Sequence, residues 1–351
     1  MFGKPKTYLG IDIGAGGIKA VELELKKNRP VLSTYAIVSE KMPVHNEGRN
    51  INIGDNPAKR EFLSSSFDNK EKKIDQDFHE EELDYYREVL IAVKKQAKIK
   101  SAVAMVSLPV SAVFHAIINL PKVDKKELDI ILNAQIKKLL PLPPEELSVD
   151  YQIISKTQNG EQQILVNAVE KKRINFYTKM FQGTGISLEA LEPESSALSR
   201  VLVGRDKSIT MIIDVGSERT NFFIIENSIP ITHHSIGMGG ERINKILANR
   251  LGMEESMIDQ VKIDLFNSIF QNNNLVNKEK ILDIFSSITD PIIKEIDYSF
   301  EIYLKQQLNK NKIPDKIVLT GGASFMPFLA SQIEKKFDKI GRASCRERGT
   351  I

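Results

Sequence analysis

Apolar and polar residues come in short blocks along most of this chain, and the blocks read as strands and helices. Residues 8–13 form an apolar run that ends in a glycine cluster. Residues 18–25 alternate, and residues 30–38 are again apolar and β-branched. The pattern predicts two or three strands joined by tight turns. It stops over residues 44–80, where Asn, Ser, Lys and Asp recur with few apolar residues. That stretch predicts a solvated, flexible insertion. Leu83, Tyr86, Leu90, Val93 and Ala97 then mark a helical stripe.

Residues 102–108 predict a buried strand closed by Pro109, and residues 113–120 another. Asp124 with Glu127 three positions on is a capping box. It opens a helix carrying Leu128, Ile131, Leu132, Ile136 and Leu139, which Pro141, Pro143 and Pro144 stop. Strands at 148–155 and 163–169 follow, with Asn159-Gly160 as a hairpin turn, then a helix over 171–182. Residues 110–185 therefore predict a small α+β unit.

From Lys207 the series restarts. Residues 209–215 predict a strand and residues 221–226 a second. A Gly pair opens a helix over 239–251. Residues 253–284 are helical but weakly patterned, and residues 286–308 predict a long helix. A strand at 316–320 runs into Gly321-Gly322 and a helix to residue 337. Residues 341–351, GRASCRERGTI, have no apolar pattern. They resemble a translated sequencing adapter, and a closing strand or turn is expected in their place.

The restart is a repeat. Residues 9–24 read LGIDIGAGGIKAVELE and residues 211–226 read MIIDVGSERTNFFIIE. They align without gaps, Asp12 on Asp214, Gly14 on Gly216 and Glu24 on Glu226. Each copy predicts a strand, an Asp-x-Gly turn and a second strand. A glycine turn lets backbone N–H groups approach an anion. An Asp beside a triphosphate makes sense only with Mg²⁺ between them. One such turn alone also reads as an ordinary hairpin; two copies favour a phosphate clamp. Lys19 shares a strand face with Val21, Leu23 and Leu25, so burial there would call for an anionic partner. The alternative is that Lys19 lies at an open strand end in water. The Gly pair at 321–322 could pack against a flat base or ribose.

Composition narrows the classes. With 49 basic and 46 acidic residues the formal net charge is +3, so nothing global calls for nucleic acid. Cys345 is the only cysteine, which fits a reducing compartment. No run of about 18 apolar residues predicts a membrane helix, and the start of the chain lacks a signal peptide's apolar core. The tandem His233-His234 has no ligand partner at metal spacing and reads as structural or surface.

In their order and spacing, these turns resemble the actin/hexokinase/heat-shock-chaperone ATPase superfamily over about residues 7–340. Within its FtsA-like branch, the chain is most similar to the PilM family of type IV pilus proteins. Residues 8–14 with 18–23, residues 139–143 with 149–152, and residues 191–194 with Ala197 and Leu198 carry that narrower likeness. The resemblance implies an α/β, ribonuclease H-like fold of two similar halves, an actin-like ATPase fold with an inserted α+β subdomain. Its parts would be residues 1–109 plus 186–206, residues 110–185 and residues 207–340.

It implies roles as well. Asp12 and Asp214 would hold Mg²⁺, partly through water. Gly14, Ala15, Gly16, Gly17 and Lys19 would contact ATP phosphates from one side, and Gly216, Ser217 and Thr220 from the other. Gly239, Gly240, Gly321, Gly322 and Ala323 would line the nucleoside end. Glu194 would join the two aspartates in catalysis by orienting water, although it also reads as a helix-start carboxylate. Ala15 stands where family members often carry Ser, which points to binding with slow hydrolysis. The implied partners are the N-terminal peptide of a PilN-like inner-membrane protein, other pilus assembly proteins and self-association. The place implied is the cytoplasm, peripheral at the inner membrane and reaching it only through partners. The competing readings are an FtsA-like filament and a small-molecule kinase of the same superfamily.

Overall fold

The computed structural model describes residues 6–39, 80–121, 123–139, 142–156, 161–270, 278–306, 312–326, 328–337 and 341–344. The expected insertion and the Asn159-Gly160 turn fall almost wholly outside them. The chain forms two compact units, Met1–Ala197 and Leu198–Ile351.

The first unit is built on a five-stranded sheet with the order β3-β2-β1-β4-β8. Its strands are β1 (Thr7–Gly14), β2 (Gly17–Lys26), β3 (Arg29–Val38), β4 (Val103–Leu108) and β8 (Ser187–Pro193). β1, β2 and β3 form an antiparallel meander, while β4 joins β1, and β8 joins β4, in parallel. Lys27 and Asn28, both with φ in the left-handed region, make the tight β2–β3 turn. One face of this sheet carries Leu9, Ile11, Ile13, Ile18, Ala20, Ala104 and Val106. They pack with Leu83, Tyr86 and Leu90 of α1 (Glu80–Gln96) and Phe176, Tyr177 and Met180 of α3 (Lys171–Phe181). At the end of that core Glu22 is fully buried. Its carboxylate accepts from the Lys100 and Ser101 N–H groups at 2.8 and 2.6 Å and from Ser33 Oγ at 3.0 Å. A buried carboxylate is tolerated only when it is bonded in this way.

A three-stranded sheet, β5-β7-β6, stands beside this core. It consists of β5 (Phe114–Pro121), β6 (Leu147–Lys156) and β7 (Glu161–Glu170), with α2 (Lys125–Leu139) against it. It has its own core, Phe114, Leu120, Leu128, Leu132, Ile136, Ile164 and Val166. The cap read from sequence is present on one side: Asp124 Oδ1 accepts the Glu127 N–H at 2.9 Å.

The second unit repeats the first sheet, with the order β11-β10-β9-β12-β13. Its strands are β9 (Thr210–Val215), β10 (Thr220–Glu226), β11 (Ile229–Ile236), β12 (Lys316–Thr320) and β13 (Gly341–Ser344). Asp214 pairs with Asn221 as Asp12 pairs with Lys19, so the sequence repeat is a structural one in the same register. Asn227 and Ser228 supply the second left-handed hairpin turn. Helices α5 (Gly240–Leu251), α6 (Glu255–Phe270), α7 (Lys278–Gln306) and α8 (Leu329–Lys336) complete it.

Three features differ from the pattern reading. Strands β8 and β11 were not expected. The long helix starts before the expected residue 286 and runs through Pro291. Buried Phe285, Ile288, Ile292 and Ile296 hold it together, which offsets the bond that proline removes. Finally, Gly341–Ser344 pairs in parallel with β12 despite its lack of apolar pattern, because ladder bonds come from the backbone. Among the described residues no helix is long and apolar enough to cross a membrane.

Candidate functional site

In the first unit the chemistry gathers at the carboxyl ends of parallel strands, the usual place for ligands in open α/β sheets. Asp12 ends β1. Its Oδ1 accepts from Ser107 Oγ of neighbouring β4 at 2.8 Å, and its Oδ2 pairs with Lys19 Nζ at 2.9 Å. Lys19 is 56% exposed, so it is not the buried lysine of the first sequence reading: it stands at the open strand end, with Asp12 as its partner. Gly14 faces Gly17 across the turn, and Gly17 has φ +123°, a conformation that favours glycine. Ala15 is buried and Gly16 exposed. Glu194 follows β8 as the first residue of the short α4 (Glu194–Leu198), and its Oε1 lies 3.4 Å from the Val110 N–H.

Beneath this end Tyr177 is fully buried. Burial raises its hydroxyl pKa well above the tyrosine range. Arg173 pulls it back, and the carboxylates of Asp12 and Glu194 push it further up. The phenol therefore stays neutral at any physiological pH.

The second unit brings most of its expected residues to one point. The Gly216 N–H closes the turn on the Arg219 carbonyl at 2.9 Å. The first N–H groups of α5, from Gly240 and Glu241, donate to the carbonyls of Gly216 and Ser217 at 2.9 and 2.8 Å. The helix start thus clamps the turn after Asp214. Gly239 makes the clamp this tight: a Cβ there would lie 2.4 Å from the Ser217 carbonyl oxygen and 2.3 Å from the Glu218 carbonyl carbon. Gly321, with φ +90°, approaches from the other side, and a Cβ on it would meet the Val215 oxygen at 2.4 Å and Asp214 Oδ1 at 2.6 Å. Ala323 packs on Gly240. Thr220 is buried and its hydroxyl donates to the Met238 carbonyl, which supports the turn from below.

Next to Gly322 and Ala323 opens a cavity of about 400 Å³. It is walled by Ile243 of α5, by Asp259, Lys262 and Ile263 of α6, and by Phe325 and Met326. Lys262 Nζ pairs with Asp259 Oδ1 at 2.6 Å and donates to Asn244 Oδ1 at 2.8 Å. The Lys262 hydrogen bond holds the Asp259 carboxyl below its ordinary range, partial burial opposes this, and the Asn244 amide adds to the lowering. An apolar slot with one polar wall is the general form of a small-molecule pocket. The sequence reading named none of these six wall residues, although Asp259, Lys262 and Ile263 share one face of α6.

The residues fit a magnesium nucleotide. A Cβ-free cradle lies at Gly239 and Gly321, an apolar slot adjoins it, and Asp214 stands beside it near the end of β9. Among the described residues no group of three His, Cys, Asp or Glu side chains could cage a metal. Mg²⁺ needs no such cage, because it binds through one or two carboxylates, phosphate oxygens and water. His234 pairs with Glu295 at 2.6 Å, and His233 packs edge-on against Phe223.

Two repeated five-stranded sheets with an Asp-Gly turn at the head of each define the actin-like ATPase fold. A solved PilM-PilN type IV pilus biogenesis complex superposes with a TM-score of 0.68 at 18% identity, covering 98% of this chain and 92% of that one. The ethanolamine utilization protein EutJ from Carboxydothermus hydrogenoformans gives a TM-score of 0.50 at 11% identity, covering 97% and 85%. The family model of the type IV pilus assembly protein PilM matches residues 64–340, and the chain belongs to that family.

Proposed function

We propose that this pilus assembly protein binds Mg-ATP, changes conformation with its nucleotide, and binds the N-terminal peptide of a PilN-like inner-membrane protein. The convergence of Gly216-Ser217, Gly239-Gly240 and Gly321–Ala323 on Asp214, beside the α6 cavity, carries the nucleotide half of this reading. The cavity would take the nucleoside, with Ile243, Ile263 and Met326 against the base. Asp12 and Asp214 would hold magnesium, partly through water, and Gly14–Gly17, Lys19, Gly216 and Ser217 would contact phosphates. When bound, the metal would neutralise phosphate charge. Glu194 would orient water. Buried Ala15 offers no hydroxyl to a terminal phosphate, so turnover is expected to be slow.

The peptide half rests on the PilN partner in the similar solved complex and on the small β5-β7-β6 unit, whose separate core lets it present a surface of its own. Through that partner the protein would act in the cytoplasm at the inner membrane. A fluorescent ATP analogue tests the nucleotide half: the reading predicts saturable binding that EDTA abolishes and that Ile263→Asp weakens at least tenfold. Binding unaffected by Ile263→Asp would remove the cavity from the account.

A further inference from the structure

One end of the first sheet is crowded with cations. The β2–β3 turn reads Lys26-Lys27-Asn28-Arg29, and all four residues are exposed. α1 finishes at the same end, because the chain passes from it to the start of β4, which runs parallel to β1 and so opposite to β2. There Lys95, Lys98 and Lys100 are exposed. Two contacts fix this helix end against the hairpin. Thr34 Oγ1 donates to the Ala97 carbonyl at 2.8 Å, and the Lys100 N–H donates to Glu22 at 2.8 Å. Exposed Lys6 joins the group, since its carbonyl accepts the Leu25 N–H at 2.9 Å. The carboxylates nearby are engaged or distant. Glu22 is buried and bonded, Glu24 pairs with Lys26 at 3.3 Å, and exposed Glu189 stands on β8, across the sheet from β3. The whole chain carries a formal net charge of only +3, so this positive charge is a local concentration.

Local structure does not call for these cations. Lys27 and Lys98 have φ of +48° and +53°, left-handed backbone where glycine or asparagine is the favoured residue. The matching turn of the second unit, Glu226-Asn227-Ser228-Ile229, has the same left-handed pair and no cation. The dipole of α1 accounts for Lys94 and Lys95 in its last turn. It accounts for neither Lys27 nor Arg29. Residues that go against a local preference without local compensation mark functional positions.

We propose that this end of the first unit is a docking surface for an anionic phospholipid bilayer. Extent favours a surface over a small anion. From Glu22, level with the end of α1, the hairpin runs on to Lys26 for roughly 13 Å. One phosphate cannot bridge that span, whereas a plane of head groups meets all of it. The neighbours favour lipid over nucleic acid. Val31, on the same strand face as Arg29, and Leu32 are 42% and 56% exposed, so apolar side chains stand among the cations. That mixture suits the head-group boundary of a bilayer, whereas a nucleic-acid backbone takes polar side chains. The contact would add a direct hold on the membrane to the one a PilN-like partner provides, and it needs neither nucleotide nor peptide.

Co-sedimentation of the full chain with vesicles of phosphatidylglycerol and phosphatidylcholine in equal parts tests the proposal. Nucleotide and peptide are left out, so failure here is distinct from failure of the nucleotide or peptide reading. Binding is expected to these vesicles, to fade as salt is raised, and not to occur with phosphatidylcholine alone. Lys27→Asn with Lys98→Asn removes two cations and gives each left-handed position a residue it favours. This variant should melt no lower than the wild type yet bind about 25-fold more weakly, about fivefold for each cation lost. Lys305→Asn with Lys335→Asn, which removes two exposed cations from the second unit, should bind as the wild type does. A chain that stays in the supernatant overturns the proposal, as does an equal loss in the two double variants, which would trace binding to net charge. So does duplex DNA that displaces the chain from the vesicles at equal phosphate concentration, because the surface would then be one for nucleic acid.

Discussion

Gly321→Ala is the most informative single change. A methyl group at Gly321 would lie 2.4 Å from the Val215 carbonyl oxygen and 2.6 Å from Asp214 Oδ1, where ordinary contact begins near 3.4 Å. The first obstacle is backbone of a central strand, so it cannot swing away. At φ +90° and ψ +158° Gly321 occupies backbone space essentially reserved for glycine, and holding an alanine there costs about 1–3 kcal/mol. Forcing extra volume against fixed atoms adds about 1–3 kcal/mol. The sum, about 2–6 kcal/mol, is expected to fall on the second unit. At about 2–4 °C per kcal/mol for a unit of this size, the melting transition should drop by about 4–24 °C. Gly322→Ala is the control, because nothing lies within 4 Å of its added carbon. It should shift melting by no more than a degree or two. Differential scanning calorimetry reads both. A Gly321→Ala variant that melts with the wild type would refute the close approach of Gly321 to Asp214, and with it the cradle.

Other outcomes follow from the same contacts. Gly239→Ala, whose φ of −110° suits any residue, should lose about 1–3 kcal/mol through overlap with residues 217–219 alone. Asp12→Ala should leave melting nearly unchanged, since its partners Lys19 and Ser107 sit at an open strand end, yet remove magnesium-dependent nucleotide binding; equal affinity with and without the carboxylate would contradict its role. Glu22→Gln should cost about 1–3 kcal/mol in urea unfolding, because a charged acceptor of three bonds becomes a neutral amide in a buried site. For Asp259 the folded-state pKa lies below its ordinary value, so its contribution is present above that value and fades as pH falls through the folded one. An NMR titration should place its midpoint below 3.8; a midpoint above that would contradict the Lys262 pairing.

The two Asp-x-Gly turns were legible as turns because their logic is local. An apolar strand, Asp-x-Gly and a second strand fix a hairpin within a few residues, and the second copy at Asp214 repeats it. The Asp124 cap was legible for the same reason. Strand β11 was missed because its turn, Asn227-Ser228, lacks the glycine that usually signals two left-handed residues, and because Pro230, His233 and His234 interrupt its apolar pattern. The cavity was illegible for another reason. Ile243, Ile263 and Met326 are ordinary core residues in sequence, and only folding brings α5, α6 and the turn after β12 together. Lys19 was misjudged because strand parity gives a face but cannot show which face is covered.

The most direct test is calorimetric titration of the full chain with ATP, with and without Mg²⁺. The account predicts one ATP per chain, bound with magnesium and lost in EDTA. Absence of heat in both conditions, with the chain shown to be folded, would contradict the nucleotide site at Asp214.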